Sequence, residues 1–166
     1  MIPEIVGTRG ENPLGKLADD ELLIVLGAPG APRSPWTDEL KAKAHKSMSK
    51  THHYMAYHVG FGDGGRSPYV VVDWQKPGVS ALERRWVAQK LGVLVAQQFN
   101  LKKLVVHLDK GSGTAELALV EDLLTKQMSP RYEKSLLSYL KILSPEPSAL
   151  REVAPHFKSE EHTSEL

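Results

Sequence analysis

Apolar residues along this chain fall into short continuous runs separated by glycine- and proline-rich stretches, the pattern of buried strands joined by turns. Glu21 to Leu26 (ELLIVL) is one such run and stops at Gly27, and Lys103 to Leu108 (KLVVHL) is another. Tyr69 to Trp74 (YVVVDW) carries a β-branched run that predicts burial on both faces, as in a central strand. From Met55 to Phe61 the pattern differs: Met55, Tyr57, Val59 and Phe61 alternate with Ala56, His58 and Gly60, which predicts a strand with one buried face. The FGDGGRSP segment that follows is turn-forming, because its glycines tolerate positive φ.

Elsewhere the period is helical. Ser80 and Glu83 form an S-x-x-E capping box, worth about 1 kcal/mol at a helix start. From there to Phe99 the apolar set Leu82, Trp86, Val87, Leu91, Leu94, Val95 and Phe99 makes a broad inner stripe, with Asn100 as the C-cap. After KLVVHL, the loop DKGSGT leads into a helix from about Thr114 to Met128, with Leu117, Val120, Leu123 and Leu124 inside. Thr37 to Lys50 reads as a mostly exposed helix capped by Thr37, since it is rich in helix formers and poor in apolar positions. Ser129-Pro130 is a further helix start. Leu136 to Leu143 could extend that helix or form an edge strand, and the strand is preferred. Strand, helix, strand, helix in succession predicts parallel crossovers and an α/β domain.

Composition narrows the partners more than the chemistry. The chain has 166 residues, 41% hydrophobic and 25% charged, which suits one folded domain without a membrane span. Lys and Arg number 21 against 20 Asp and Glu, so no global field favours nucleic acid or an anionic membrane. The absence of cysteine excludes a thiol nucleophile, a disulfide framework and any thiolate zinc site. The first residues, MIPEIVGTRGENPLGKL, match neither a secretory signal nor a transit peptide, so the expected location is cytoplasmic.

Candidate chemistry is sparse. His45, His52, His53 and His58 stand close together, but neighbours such as His52 and His53 would point to opposite faces of a strand, so metal binding is not expected. Asp73, beside Trp74 at the end of the central strand, is the most suggestive acid, because ligands of open α/β sheets gather at the carboxyl ends of strands. The loop Asp109 to Thr114 leaves a strand and enters a helix, which makes Gly111, Ser112, Gly113 and Thr114 weak candidates for cradling a nucleotide phosphate. It lacks the glycine fingerprints of dinucleotide and P-loop sites, so a plain crossover turn is the preferred account. Trp36, Trp74 and Trp86 lack interleaved basic residues and are expected to pack in the core or at its rim. No G-x-S-x-G elbow and no HExxH motif is present.

The run from ELLIVL through AYHVGFGDGGRSPYVVVDW, SALERRWVAQKLGVLVAQQF, KKLVVHL and AELALVEDLLTKQMSPRYEK resembles the N-terminal domain of the leucyl (cytosol) aminopeptidases, the M17 metallopeptidases. MSPRYEKSLLSYLKIL is similar to the short aromatic and lysine segment that precedes the next strand there, whereas Asp73, Trp74, Gln75 and Lys76 stand where that family has a glycine-rich turn. The resemblance implies a three-layer, macro-domain-like α/β fold with a mixed, mostly parallel sheet flanked by helices. It divides the chain into an irregular segment at 1–20, the domain at 21–147, the start of a linker helix at 148–158 and a tail at 159–166. The intact parent would be a hexameric enzyme releasing N-terminal residues from peptides, its two divalent metals, zinc or manganese, held in a C-terminal domain. No catalytic or metal-binding residue of that family maps onto this chain. Its expected role is oligomer contacts and access to the site, with no cofactor of its own.

SEEHTSEL, Ser159 to Leu166, matches the conceptual translation of a sequencing-adapter oligonucleotide and is expected to be non-native, with the transcript interrupted near Lys158. Two other functions stay open: a macro-like module binding ADP-ribose or a related nucleotide, and a catalytically dead scaffold subunit of a larger assembly.

Overall fold

The computed structural model describes residues 3–50, 55–80, 82, 83, 87, 91, 103–109 and 139–152. It places strands at Glu4–Gly7 (β1), Glu21–Leu26 (β2), Lys46–Lys50 (β3), Met55–Phe61 (β4), Pro68–Trp74 (β5), Lys103–Leu108 (β6) and Tyr139–Ser144 (β7), with a short helix at Trp36–Ala42 (α1). The strands make one seven-stranded sheet in the order β1-β7-β6-β2-β5-β4-β3. From β1 to β5 every pairing is parallel, and β4 and β3 complete the sheet as antiparallel neighbours. The result is an α/β fold on a mixed, mostly parallel sheet.

Its interior follows from the continuous apolar runs. Successive residues of a strand point to opposite faces, so a strand apolar throughout needs cover on both sides. In β2, Leu22, Ile24 and Leu26 join the larger core with Val70, Val72, Leu104, Val106, Leu140 and Ile142. Leu23 and Val25 face the other way, into a second core with Tyr69, Val71, Val105 and Leu40 of α1. Val87 and Leu91, helical and four residues apart, cover the first face, and α1 covers the second. Each such aliphatic side chain withdrawn from water contributes about 1.5–3 kcal/mol, the main favourable term in folding.

Half of the predicted capping box forms at the start of the covering helix, where Ser80 Oγ accepts a hydrogen bond from the Glu83 N–H at 3.2 Å. The Glu83 carboxylate meets the Lys76 ammonium at 3.1 Å. Leu82, expected on the inner stripe, is 67% exposed. It precedes Val87 by five residues, about 140° round the helix, and so leaves the packed side. Gly60 is required by close packing: a Cβ there would lie 2.4 Å from the Tyr69 hydroxyl. In the turn between β4 and β5, Gly64 and Gly65 take φ of 74° and 75°, the left-handed region that glycine enters without strain.

Several expectations need correction. The helix expected over Thr37 to Lys50 ends at Ala42, and Lys46–Lys50 is the edge strand β3 paired with β4. Helix propensity amounts to tenths of a kcal/mol per residue, whereas pairing gives the backbone polar groups along the outer side of β4 their partners. Thr37 is a buried residue within α1, and Pro35 holds the cap position. Residues 4–7, inside the segment expected to be irregular, form β1 beside β7. β7 is therefore interior and not an edge, flanked by β1 and β6. β4 is buried on both faces over most of its length, because Ala56 and Gly60 are small enough to sit under their neighbours. The helix that begins at Pro147 packs on the sheet through buried Leu150, and its Arg151 guanidinium donates to the Ile5 carbonyl at 2.9 Å. The helix expected at Thr114 to Met128, the Ser129-Pro130 start, Trp86 and the tail at 159–166 lie outside the described residues.

Candidate functional site

β2 is the strand where the chain order reverses: after it the chain passes to β4 and β5 on one side, then crosses to β6 on the other. In open α/β sheets the crevice at the carboxyl ends of such strands is where ligands bind. Here the loop after β2 fills it. The Arg33 Nε donates to Asp109 Oδ2 at 2.8 Å, and its Nη1 donates to the Val72 carbonyl at 2.7 Å, so one guanidinium ties the end of β6 to the end of β5. Asp109 Oδ1 accepts from the Ser34 hydroxyl at 2.6 Å and from the Ser34 N–H at 3.3 Å. The Asp109 N–H in turn donates to the Leu26 carbonyl at 3.2 Å. Gly27 leaves room for this arrangement, since a Cβ there would lie 2.9 Å from Arg33 Nε. The Trp74 indole N–H closes the same loop on the Gly27 carbonyl.

Beneath this plug lies His107, fully buried, with neither ring nitrogen hydrogen-bonded among the described residues. Trp36 meets it edge to face at a centroid distance of 4.9 Å. The Trp36 Nε1 donates to the Gly10 carbonyl at 2.6 Å, which draws the N-terminal segment over the site. Burial holds the His107 imidazole below its ordinary pKa; Asp109 opposes that shift, Arg33 reinforces it and Glu11 opposes it weakly. The ring is therefore held neutral beside an ion pair.

A second polar cluster occupies the same face of the sheet, at its antiparallel end. Asp73 Oδ2 accepts from Lys41 of α1 at 2.8 Å and lies 3.4 Å from His58 Nε2. His58 Nδ1 is 2.8 Å from the Ser47 hydroxyl on β3. Burial raises the pKa of Asp73, but the Lys41 ammonium and the His58 ring more than offset it, leaving the carboxyl below its ordinary value. Asp73 thus ties the sheet to α1.

Of the residues weighed in the sequence, Asp73, His45 and His58 can be placed, as can Asp109 at the start of the candidate loop; Gly111, Ser112, Gly113 and Thr114 lie outside the described residues, as do His52 and His53. His45 packs against Phe61 at a centroid distance of 5.6 Å. Arg33, Ser34, His107, Ser47 and Lys41 escaped the sequence reading. A signal existed for two of them: Arg33 is the one charge in a Pro/Gly loop, and His107 interrupts an apolar strand. Among the described residues, no group of three or more His, Asp or Glu side chains could hold a metal ion. Among them also, no helix is long and apolar enough to cross a membrane.

No known family model matches the sequence, and no curated protein matches it. Among solved structures, a 5'-methylthioadenosine/S-adenosylhomocysteine nucleosidase from Colwellia psychrerythraea aligns at 15% identity and a TM-score of 0.29, over 75% of this chain and 59% of that one. A nucleolar GTP-binding protein 1 from Plasmodium falciparum aligns at 13% identity and a TM-score of 0.26, over 87% of this chain and 89% of that one. Likenesses this weak carry no argument about function.

Proposed function

We propose that this chain is the non-catalytic N-terminal α/β domain of a leucyl-aminopeptidase-like protein, whose parent releases N-terminal residues from peptides with two divalent metals bound elsewhere. The domain's own work is in oligomer contacts and in shaping access to that site. One observation carries the reading: the crevice where an α/β sheet would hold a ligand is filled by its own Arg33, Ser34 and Asp109. Asp109 has both oxygens engaged, and Arg33 spans two strand ends, so the place of chemistry in other such folds serves here as a structural tie. The resemblance running from ELLIVL to MSPRYEK supports the choice of parent.

Reading the coding sequence downstream of residue 158 tests the assignment. A frame continuing into a domain with a metal-binding lysine and carboxylates supports it; a natural stop contradicts it and favours the dead scaffold. A leucyl chromogenic substrate with Mn²⁺ or Zn²⁺ tests the inactivity of this portion, for which no metal-dependent turnover is expected. Calorimetric heat on titrating ADP-ribose would favour a nucleotide-binding module instead.

A further inference from the structure

Ser47, His58 and Asp73 stand on three adjacent strands of one sheet face. Ser47 is the register partner of His58 across β3 and β4, and His58 faces Val71, two residues before Asp73 on β5. Polar contacts link the row from end to end. Lys41 at 2.8 Å keeps Asp73 ionised, so Asp73 can only accept. A neutral His58 ring that turns its Nε2–H toward Asp73 Oδ2, 3.4 Å away, presents the Nδ1 lone pair to the Ser47 hydroxyl at 2.8 Å. This is the relation a serine nucleophile needs: a base within hydrogen-bond reach, and a third group that fixes the base's tautomer. Ser47 is exposed, and the His58 side chain is 15% exposed, so a small electrophile reaches the hydroxyl while the ring stays held.

We propose that Ser47 is a reactive nucleophile that accepts an acyl-type group from an activated donor, with His58 as its general base and Asp73 as the positioning residue. The step is the transfer alone. The Ser47 Oγ attacks the electrophilic centre, its proton passes to His58 Nδ1, and the bond to the leaving group breaks as the new Oγ bond forms. The proton leaves with the departing anion or passes to water. Nothing in this step involves a metal or the filled crevice, so it stands or falls apart from the aminopeptidase reading.

A fluorophosphonate probe tests it on the full chain, because such probes spare lysine and mark activated serines. The Oγ–P bond forms, the P–F bond breaks, and fluoride departs. The expected result is one phosphonyl group per chain, located on Ser47 by peptide mass and absent from Ser47→Ala. His58→Gln should label at least about 100-fold more slowly, the usual contribution of a general base. Asp73→Asn should slow labelling on the order of tenfold or more, with recovery in Asp73→Glu, because a merely structural acid would not govern the rate. Wild-type chain that takes up no probe, or takes it on another residue, overturns the proposal whatever the variants do. So does labelling of Ser47 at an unchanged rate in folded His58→Gln.

Discussion

Two clusters of the same ingredients, a histidine, an aspartate and a cation, lie under the same short helix and have opposite character. At the start of α1, Ser34 and Trp36 close over Asp109 and His107, whose side chains are each 1% exposed. At its end, Lys41 reaches Asp73, which is 28% exposed, beside His58 and the exposed Ser47. Burial decides what the shared parts do. In the first cluster the Asp109 carboxylate is dry, committed through both oxygens to Arg33 and Ser34 and costly to disturb, although the Arg33 side chain keeps 22% exposure, so the cluster acts as structure. In the second, water reaches the row, the ion pair is cheap, and a lone pair is left pointing at a hydroxyl that solvent can reach.

The comparison predicts unequal costs for losing the acid. Asp109→Ala leaves the Arg33 guanidinium without its partner and should lower stability by about 3 kcal/mol or more, read from urea unfolding. Asp73→Ala, in the wetter cluster, should cost about 1 kcal/mol or less. Equal losses would show that burial is not what separates the two. α1, which serves both, is itself held by the Tyr69 hydroxyl donating to the Leu40 carbonyl at 2.7 Å. Gly60→Ala would push a methyl into that hydroxyl and should cost about 2 kcal/mol, weakening both clusters together.

Acid should strain the two regions in different windows. His107 has a folded pKa below its ordinary 6.5, so the unfolded chain binds that proton first. Above about pH 6.5 the group contributes nothing; as pH falls below it, stability declines by at most about 1.4 kcal/mol per unit until the folded ring also protonates. His107→Leu should flatten this slope in urea midpoints measured across that window. Asp73 is depressed from 3.8, so its stabilisation is present above that pH and is lost only as pH falls through the lower folded value. The smallest effect is expected for Ser47→Ala, within about 0.5 kcal/mol of the parent chain, since the hydroxyl is exposed on an edge strand.

Much of the sheet was legible in the residues, and little of either cluster was. The runs at Glu21–Leu26, Met55–Phe61 and Lys103–Leu108 coincide with β2, β4 and β6, because long apolar or alternating strands carry their signal locally. β3 does not: Lys46–Lys50 is a strand only because β4 needs a neighbour, and that requirement lies in residues well away from it. β1 is similar, its four residues made a strand by β7 near the far end of the chain. Asp73 was singled out by its position at a strand end. His58 stood out only as one of four histidines, and Lys41 and Ser47 not at all, because Lys41 comes from a helix and Ser47 from a strand whose residues favour a helix. Arg33 and Asp109 are 76 positions apart, a contact that no local pattern announces.

One spectrum reads both regions at once. Long-range ¹H–¹⁵N correlation of assigned histidine side chains, followed from neutral to acid pH, reports the protonation and tautomer of each ring. The folded His107 ring should protonate only below its ordinary 6.5, and the neutral form of His58 should carry its proton on Nε2, toward Asp73, with Nδ1 facing Ser47. A His107 ring that titrates at its ordinary value, or a His58 protonated on Nδ1, would contradict the division into a dry structural cluster and a poised one.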